Sequence, residues 1–157
     1  MLARGLATAT VVAILDQLSK AAVLTFFAER TFGDHKTVTS FFNLALTYNR
    51  GISFGLFNGG AGLNALVFSF AAAAIVVALI FWLSRASNPF LAVAIGLIIG
   101  GAVGNVIDRL RLGAVVDFLD FHVGSLHWPA FNLADSAICI GVAAMLLDGL
   151  LLRREAH

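Results

Sequence analysis

Residues 63–83 read LNALVFSFAAAAIVVALIFWL and carry no charged side chain. An α-helix rises about 1.5 Å per residue, so about 20 apolar residues cross the hydrocarbon core of a bilayer, and this stretch is long enough. The composition of the 157-residue chain agrees, because 60% of its residues are hydrophobic, 12% are charged and the mean hydropathy is +0.94. Soluble domains carry about a quarter charged residues. The sequence therefore predicts an integral membrane protein.

Three further apolar stretches predict three more membrane-spanning helices, at about residues 6–27, 90–107 and 133–152. The expected fold class is therefore an all-α integral membrane protein, a bundle of four transmembrane helices with small β-rich extracytoplasmic elements. No repeat or linker divides the chain, so residues 1–157 are expected to form a single membrane-embedded domain. An even number of spans places both termini on the same side of the membrane.

Charged residues indicate how the bundle is oriented. The short segments on the side of the termini hold four arginines with few acids nearby: Arg4, Arg85, Arg153 and Arg154. The positive-inside rule places that side in the cytoplasm, so the longer connections, about 28–62 and 108–132, face outward. The first stretch is expected to be a retained helix and not a signal peptide, because polar residues interrupt it and no small-x-small cleavage site follows.

Two outward segments have strand-like patterns. In residues 37–49, TVTSFFNLALTYN, the apolar Leu44, Leu46 and Tyr48 alternate with more polar neighbours, which predicts a strand. Residues 114–122, AVVDFLDFH, also predict an extended segment, in which Asp117 and Asp120 point to opposite faces. The segment Trp128–Phe131 is typical of an interfacial anchor.

Several functional classes are excluded or weakened. The formal charge of +1 gives no basic surface for nucleic acid. The four histidines are scattered and no H-E-x-x-H occurs, which argues against a metalloprotease. Ser19 and Lys20 are adjacent and diverge on a helix, so they do not form a Ser–Lys dyad. Cys139 lies mid-helix without a basic partner and is expected in the core.

Polar residues at membrane depth are costly and call for an explanation. Asp16 and Lys20 lie four residues apart and can pair. Gly96, Gly100 and Gly104 form a packing row that leads to Asp108, at the outer end of the third helix beside Asn105 and Arg109.

Carboxylates at the outer face suggest acid–base chemistry. Asn132 fits the N-cap of the fourth helix and Asp135 its first turn, so capping alone could explain both. Asp117 lies in an apolar V-V-D-F setting, where a carboxylate has a raised pKa unless it is paired. Two carboxylates in one site can share a proton and act as acid and base. The spacing does not select the pair among Asp16, Asp108, Asp117, Asp120 and Asp135.

Five motifs in order resemble the lipoprotein signal peptidase family, also called signal peptidase II. They are D-Q-L-S-K at 16–20, N-R-G-I-S-F at 49–54, G-G-A-V-G-N-V-I-D-R at 100–109, V-V-D-F at 115–118 and F-N-L-A-D at 131–135. They span most of the chain and leave out the second helix. One departure is Ser53, where the family more often has alanine.

The resemblance implies a membrane aspartic endopeptidase that removes the signal peptide from bacterial prolipoproteins, just before a cysteine that carries a diacylglyceryl group. By motif position, the catalytic dyad corresponds to Asp117 and Asp135. The supporting polar residues correspond to Asp16, Lys20, Asn49, Gly51, Asn105, Arg109 and Asn132. Asp16 and Lys20 are expected to support the outward connection.

The resemblance also implies the setting of the reaction. No metal or organic cofactor is expected. The expected partners are lipid-modified prolipoproteins and membrane lipids, with no nucleic acid, and the protein is expected to be monomeric. It would lie in the bacterial inner membrane, with cytoplasmic termini and its active site near the extracytoplasmic face. The 28–62 connection, including Phe54, and the Trp128 segment would clamp over an extended peptide.

Two other functions are weighed from the residues. A small proton-coupled transporter would line a path with Asp16, Lys20, Asp108 and Arg109, yet the polar groups collect near one face. A purely structural subunit would use the carboxylates only as caps and ion pairs. Both are weaker hypotheses than the peptidase.

Overall fold

The computed structural model describes residues 1–28, 35–51 and 60–152, with only the backbone described for 60–64 and 151–152. The elements, in order, are α1 (Leu2–Phe26), β1 (His35–Thr39), β2 (Phe42–Asn49), α2 (Gly60–Ser84), α3 (Pro89–Leu112), β3 (Val115–Val123), β4 (Leu126–His127) and α4 (Leu133–Leu147). A π-helical turn, Asp148–Leu152, follows α4.

Within the described residues, four helices are long and apolar enough to cross a membrane: Leu2–Phe26, Ala65–Ser84, Pro89–Leu112 and Leu133–Leu150. The predicted four-helix membrane protein is confirmed in this respect. Helix α3 is central, because 67% of its most apolar window is buried, against 17–28% for the other three. The outer helices therefore leave most of their apolar surface for lipid, and Cys139 is exposed on α4, so its predicted core position is wrong.

The glycine rows of α3 explain why its neighbours come so close. A Cβ at Gly100 would lie 2.6 Å from the carbonyl oxygen of Ala9, and one at Gly104 would lie 2.5 Å from a carboxylate oxygen of Asp16. Gly101, on the adjacent row, faces the backbone of Ala134 on α4. The expected packing role of the row is confirmed, and it brings the polar residues of α1 and α4 against α3.

The fold is not purely all-α, so that part of the predicted class is wrong. Four antiparallel strands form a sheet in the order β1-β2-β3-β4. Residues 37–49 belong to two strands, because the chain turns at Ser40–Phe41, where the backbone N–H of Phe41 donates to the Thr39 hydroxyl at 3.3 Å. The side-chain bond supports a tight reversal that the alternation pattern does not reveal.

The sheet packs on the end of α1. Leu46 is buried against Val23 of α1 and Phe27, the residue that follows this helix, and Leu44 and Tyr48 pack against the same cluster, as the alternation predicts. The strand predicted at 114–122 is confirmed as β3. The sheet therefore covers the end of the helix bundle at which α3 ends and α4 begins.

Helix α3 extends five residues beyond its predicted end at Ile107. Gly113 ends it with a left-handed φ of 71° and donates its N–H to the Arg109 carbonyl at 3.0 Å. Asn105, Asp108 and Arg109 consequently lie inside the helix and have fixed directions. At the other end of α3, Pro89 begins the helix and Asn88 caps it, as expected.

Candidate active site

Asn132 lies at the centre of the polar site. It is the N-cap of α4 and forms a capping box with Asp135. The side-chain oxygen of Asn132 accepts from the backbone N–H of Asp135 at 2.9 Å, and the backbone N–H of Asn132 donates to Asp135 Oδ2 at 3.3 Å. Its Nδ2 is directed away from the helix and donates to Asp117 Oδ1 at 2.7 Å. The capping explanation is therefore correct but incomplete, because one buried amide contacts both predicted catalytic aspartates.

Asp117 is buried on β3, with 1% of its surface exposed. Its second oxygen, Oδ2, accepts from Nδ2 of Asn49 at 3.0 Å. The pKa of Asp117 is raised to about 6, chiefly by burial and also by the negative charge of Asp135, while the hydrogen bonds from Asn49 and Asn132 and the charge of Lys20 act in the opposite direction. The group can thus change protonation near neutral pH.

Asp135 differs from Asp117 in exposure and partners. It is half-buried in the first turn of α4, and its Oδ1 accepts from Nδ2 of Asn105 at 2.8 Å. Its carboxylate also accepts from the backbone N–H of Asn132 at the N-terminus of the helix. The site therefore holds one buried and one more accessible carboxyl group.

A buried charge cluster fixes the direction of Asn105. Lys20 Nζ lies 2.8 Å from Asp16 Oδ2 and 2.8 Å from Asp108 Oδ2, and it donates to Asn105 Oδ1 at 3.1 Å. All three Lys20 donors are used, and the Asn105 amide is left with its NH₂ directed at Asp135.

Asp16 and Asp108 connect this cluster to the rest of the site. Asp16 Oδ1 accepts from the N–H of Ala134 at 3.0 Å, and Asp108 Oδ2 from that of Val116 at 3.1 Å. Asp16 and Lys20 thus hold α3 and the start of α4. Through Asp108, which accepts from the N–H of Val116, Lys20 also reaches the connection at 108–132, so the support of the outward connection stays a prediction.

Sequence reasoning assigned no role to Gln17 and did not place Asp108 in the site. Gln17 Nε2 donates to Asp108 Oδ1 at 2.9 Å and to the Gly104 carbonyl at 3.2 Å. The only sequence signal for Gln17 is its position inside the D-Q-L-S-K motif.

Gly51 fixes the orientation of Asn49. Its φ is +75°, and its N–H donates to Asn49 Oδ1 at 2.9 Å, which leaves the Asn49 NH₂ directed at Asp117. A Cβ at Gly51 would lie 2.6 Å from the ring of Phe68 on α2. Residues 52–54 of the same motif, including Phe54 of the predicted clamp, lie outside the described residues.

The guanidinium of Arg109 forms no ion pair with a carboxylate of the described residues. Within the described chain it has no carboxylate within 4.0 Å, and its guanidinium lies 5.7 Å from the ring centroid of Phe68. The positive charge of Arg109 interacts electrostatically with Asp135 and Asp117 across the site. It is therefore placed to bind an acceptor that approaches the two carboxyl groups.

The remaining candidates lie elsewhere. Asp120 binds Asn43 and His127. Its predicted orientation opposite to Asp117 is not confirmed, because Asn43 and Asn49, the β2 partners of Asp120 and Asp117, lie on the same face of that strand. Among the described residues, no group of three or more histidine, cysteine or acidic side chains could hold a metal ion. The Trp128 side chain is 70% exposed at the edge of the sheet.

Comparison with known proteins shows the family of this chain. The family model described as signal peptidase (SPase) II matches residues 8–151. The chain belongs to the signal peptidase II family. It is 47% identical over 150 residues to the lipoprotein signal peptidases of Paraburkholderia phymatum and Burkholderia cenocepacia, which covers 95% of this chain and 89% of each relative. A solved bacterial membrane enzyme, obtained by the in meso method at 1.9 Å resolution, superposes with a TM-score of 0.81 at 32% identity, covering 94% of this chain and 92% of that one.

Proposed function

We propose that this chain is a membrane aspartic endopeptidase that removes the signal peptide from diacylglyceryl-modified bacterial prolipoproteins, just before the lipidated cysteine. Membership of the signal peptidase II family and 47% identity to lipoprotein signal peptidases support the substrate class. The observation that carries the catalytic part is that Asn132 binds both carboxyl groups: its side-chain NH₂ donates to Asp117 and its backbone N–H donates to Oδ2 of Asp135.

The two carboxyl groups act as a general acid–base pair. The ionised one removes a proton from a water molecule, whose oxygen attacks the carbonyl carbon of the scissile peptide bond. The protonated one donates a hydrogen bond to the carbonyl oxygen and later supplies the proton that the leaving amine requires. General acid–base catalysis of this kind contributes about 10²–10⁴-fold to the rate.

Asp117 is proposed to carry the shared proton at the start of the cycle. It is almost fully buried, its pKa is raised to about 6, and a negative neighbour increases its affinity for the proton. Asp135 is half-buried at a helix N-terminus, where a carboxylate is stabilised. Asp135 is therefore the base that activates water, and Asp117 is the acid.

The supporting residues hold this pair and the substrate. Asn49, Asn105 and Asn132 orient the carboxyl groups through the bonds described above. Arg109 offers its guanidinium to the substrate carbonyl, or to the negative charge that develops on it. Asp16, Lys20 and Gly51 hold Asn105 and Asn49 in place and do not contact the reacting atoms.

The proposed setting is the bacterial inner membrane, with cytoplasmic termini and the site near the extracytoplasmic face. Arg4 and Arg85 lie at the end of the bundle opposite to the site, which supports this orientation under the positive-inside rule. A monomer is sufficient, because every proposed catalytic and supporting residue comes from one chain.

Cleavage of a defined substrate tests the function. The purified chain is incubated in detergent with a prolipoprotein whose cysteine carries a diacylglyceryl group, and in parallel with the unmodified form. We expect a product that begins at the lipidated cysteine, from the modified substrate alone. Cleavage at another bond, or equal cleavage of both forms, would contradict the proposal.

A further inference from the structure

A cavity lies on the sheet and is lined by residues outside the candidate active site. Its volume is about 410 Å³. Its walls come from β1, β2, β3, β4 and the segment that follows β4: His35, Asn43, Ala45, Thr47, Asp120, His127, Trp128, Pro129 and Ala130. None of these residues belongs to the motifs or to the catalytic network described above.

The wall of this cavity is rich in hydrogen-bond acceptors. Asp120 is 9% exposed, and its carboxylate accepts from Asn43 Nδ2 at 2.9 Å and contacts His127 Nδ1 at 2.8 Å. Burial raises the pKa of Asp120, but the bonds to Asn43 and His127 outweigh it and hold the pKa below its ordinary value. The group is thus ionised at neutral pH.

Asn43 adds an acceptor that the described part of the chain leaves unused. It is 4% exposed, its NH₂ is fixed on Asp120, and its Oδ1 is buried with no hydrogen-bond partner among the described residues. A buried carbonyl oxygen without a donor destabilises the folded state. A ligand that brings a donor would remove this destabilisation.

Strand register connects the cavity to the site. Asn43 pairs with Asp120 and Thr47 pairs with Asp117 on the same two strands, four residues apart along β2. Because of a register shift, the same interval is three residues on β3, so at about 3.3 Å per residue the separation is about 10–13 Å, or three to four residues of an extended peptide. Strand β3 runs from the end of α3 outward, so Asp120 lies farther from the helix bundle along this strand than Asp117.

We propose that this cavity is a subsite for the extended peptide on the mature side of the cleavage point, at about the fourth residue after the scissile bond. It favours lysine, arginine and neutral hydrogen-bond donors there and disfavours aspartate and glutamate. The proposal rests on the proposed function. The signal segment stays in the bilayer among the helices, so the part of the substrate that leaves the membrane is the part that reaches the outer strands.

A substrate series tests this subsite. Lipid-modified prolipoproteins carry Lys, Gln or Glu at each of the second to fifth positions after the cleavage point, and kcat/KM is measured for each. At one position, near the fourth, we expect wild type to prefer Lys over Glu by about fivefold to tenfold, and the preference to shrink with added salt. In Asp120→Asn, the ratio should fall to about twofold or less.

Two further variants keep the test decisive. Thr47→Lys adds a cation to the exposed cavity wall and should reverse the preference towards Glu even if Asp120→Asn does not fold. Asp148→Asn removes a buried carboxylate bonded to Asn88, far from the sheet along α4, and should keep the wild-type ratio.

Each contrary outcome has a separate meaning. Equal cleavage of the whole series by wild type, or an unchanged ratio in Thr47→Lys, would overturn the subsite and leave the peptidase intact. A preference that follows the headgroup charge of added vesicles, and not the substrate side chain, would assign the cavity to lipid. Failure to cleave any modified substrate would contradict the proposed function and the subsite with it.

Discussion

Lys20 on α1 donates to Oδ1 of Asn105 on α3 at 3.1 Å, and this contact determines which atoms of the asparagine face the site. With its oxygen held by the ammonium, Asn105 directs its NH₂ to Asp135 at 2.8 Å. The same ammonium contacts Asp16 and Asp108 at 2.8 Å each. One buried cation thus joins helix packing to the orientation of a proposed catalytic group.

Removing this cation is expected to destabilise the fold. In Lys20→Met, two buried carboxylates lose their counter-charge, so the free energy of unfolding should fall by about 3–5 kcal/mol. Thermal unfolding in detergent measures the change. Lys36→Met, on the exposed surface of β1, is the control and should change stability by about 0.5 kcal/mol or less. Equal unfolding temperatures for Lys20→Met and wild type would show that the cluster is not an ionic support.

The two roles of Asn132 can be separated by one substitution. Serine is as good an N-cap as asparagine, so Asn132→Ser should keep α4 folded. It removes the donor to Asp117, so kcat should fall by about 100-fold or more. Asn88→Ser is the matched control, since Asn88 caps α3 and its NH₂ also donates to a carboxylate, Asp148, at 2.9 Å. If both variants keep wild-type turnover, Asn132 is only a cap.

Gly51 is expected to resist substitution for two reasons. Gly51→Ala meets backbone strain at φ +75° and a clash with Phe68 at 2.6 Å, so the loop that carries Asn49 must move. Turnover should fall by about tenfold or more, given how sharply catalysis depends on group position. Gly124→Ala has a similar φ of +59° with nothing within 4 Å of the new Cβ, so it carries the strain alone. Comparable turnover for the two variants would mean that the clash with Phe68 does not contribute to the effect of Gly51→Ala.

Asp117 should titrate near pH 6, and Asp135 should contribute to that value. Since the negative charge of Asp135 raises the pKa of Asp117, Asp135→Asn should lower the pKa of Asp117 below about 6. Carbon-13 NMR of the aspartate carboxyl groups follows the titration, with Asp148→Asn as a control that leaves it unchanged. Protonation of Asp117 favours the folded state, and this contribution to stability is lost as pH rises through about 6. An unchanged pKa in Asp135→Asn would mean that the two groups do not interact.

The helices and the main site residues could be predicted from the sequence because polar groups are rare at membrane depth. Asp16, Lys20 and Asn105 stand out among apolar neighbours, and the order of the motifs adds Asp117 and Asp135. The periodicity of α3 also gives the packing row of Gly100 and Gly104, which brings α1 into contact.

Other features depend on contacts that a linear pattern does not contain. The turn at Ser40–Phe41 is stabilised by a local hydrogen bond to Thr39, so the sequence pattern of this hairpin resembles that of a single strand. Gln17 reaches Asp108 across 91 residues, and its partner cannot be read from its own helix face. Phe68 is one aromatic residue among many on α2, and only its packing against Gly51 and Arg109 distinguishes it.

The most direct test of the central claim is cleavage of a diacylglyceryl-modified prolipoprotein by wild type, Asp117→Asn, Asp135→Asn and the control Asp148→Asn, at matched protein yield and thermal stability. We expect product from wild type and from Asp148→Asn, and a loss of about 10²-fold or more in each of the other two. Near wild-type cleavage by folded Asp117→Asn or Asp135→Asn would contradict the assignment of these two residues as the catalytic pair.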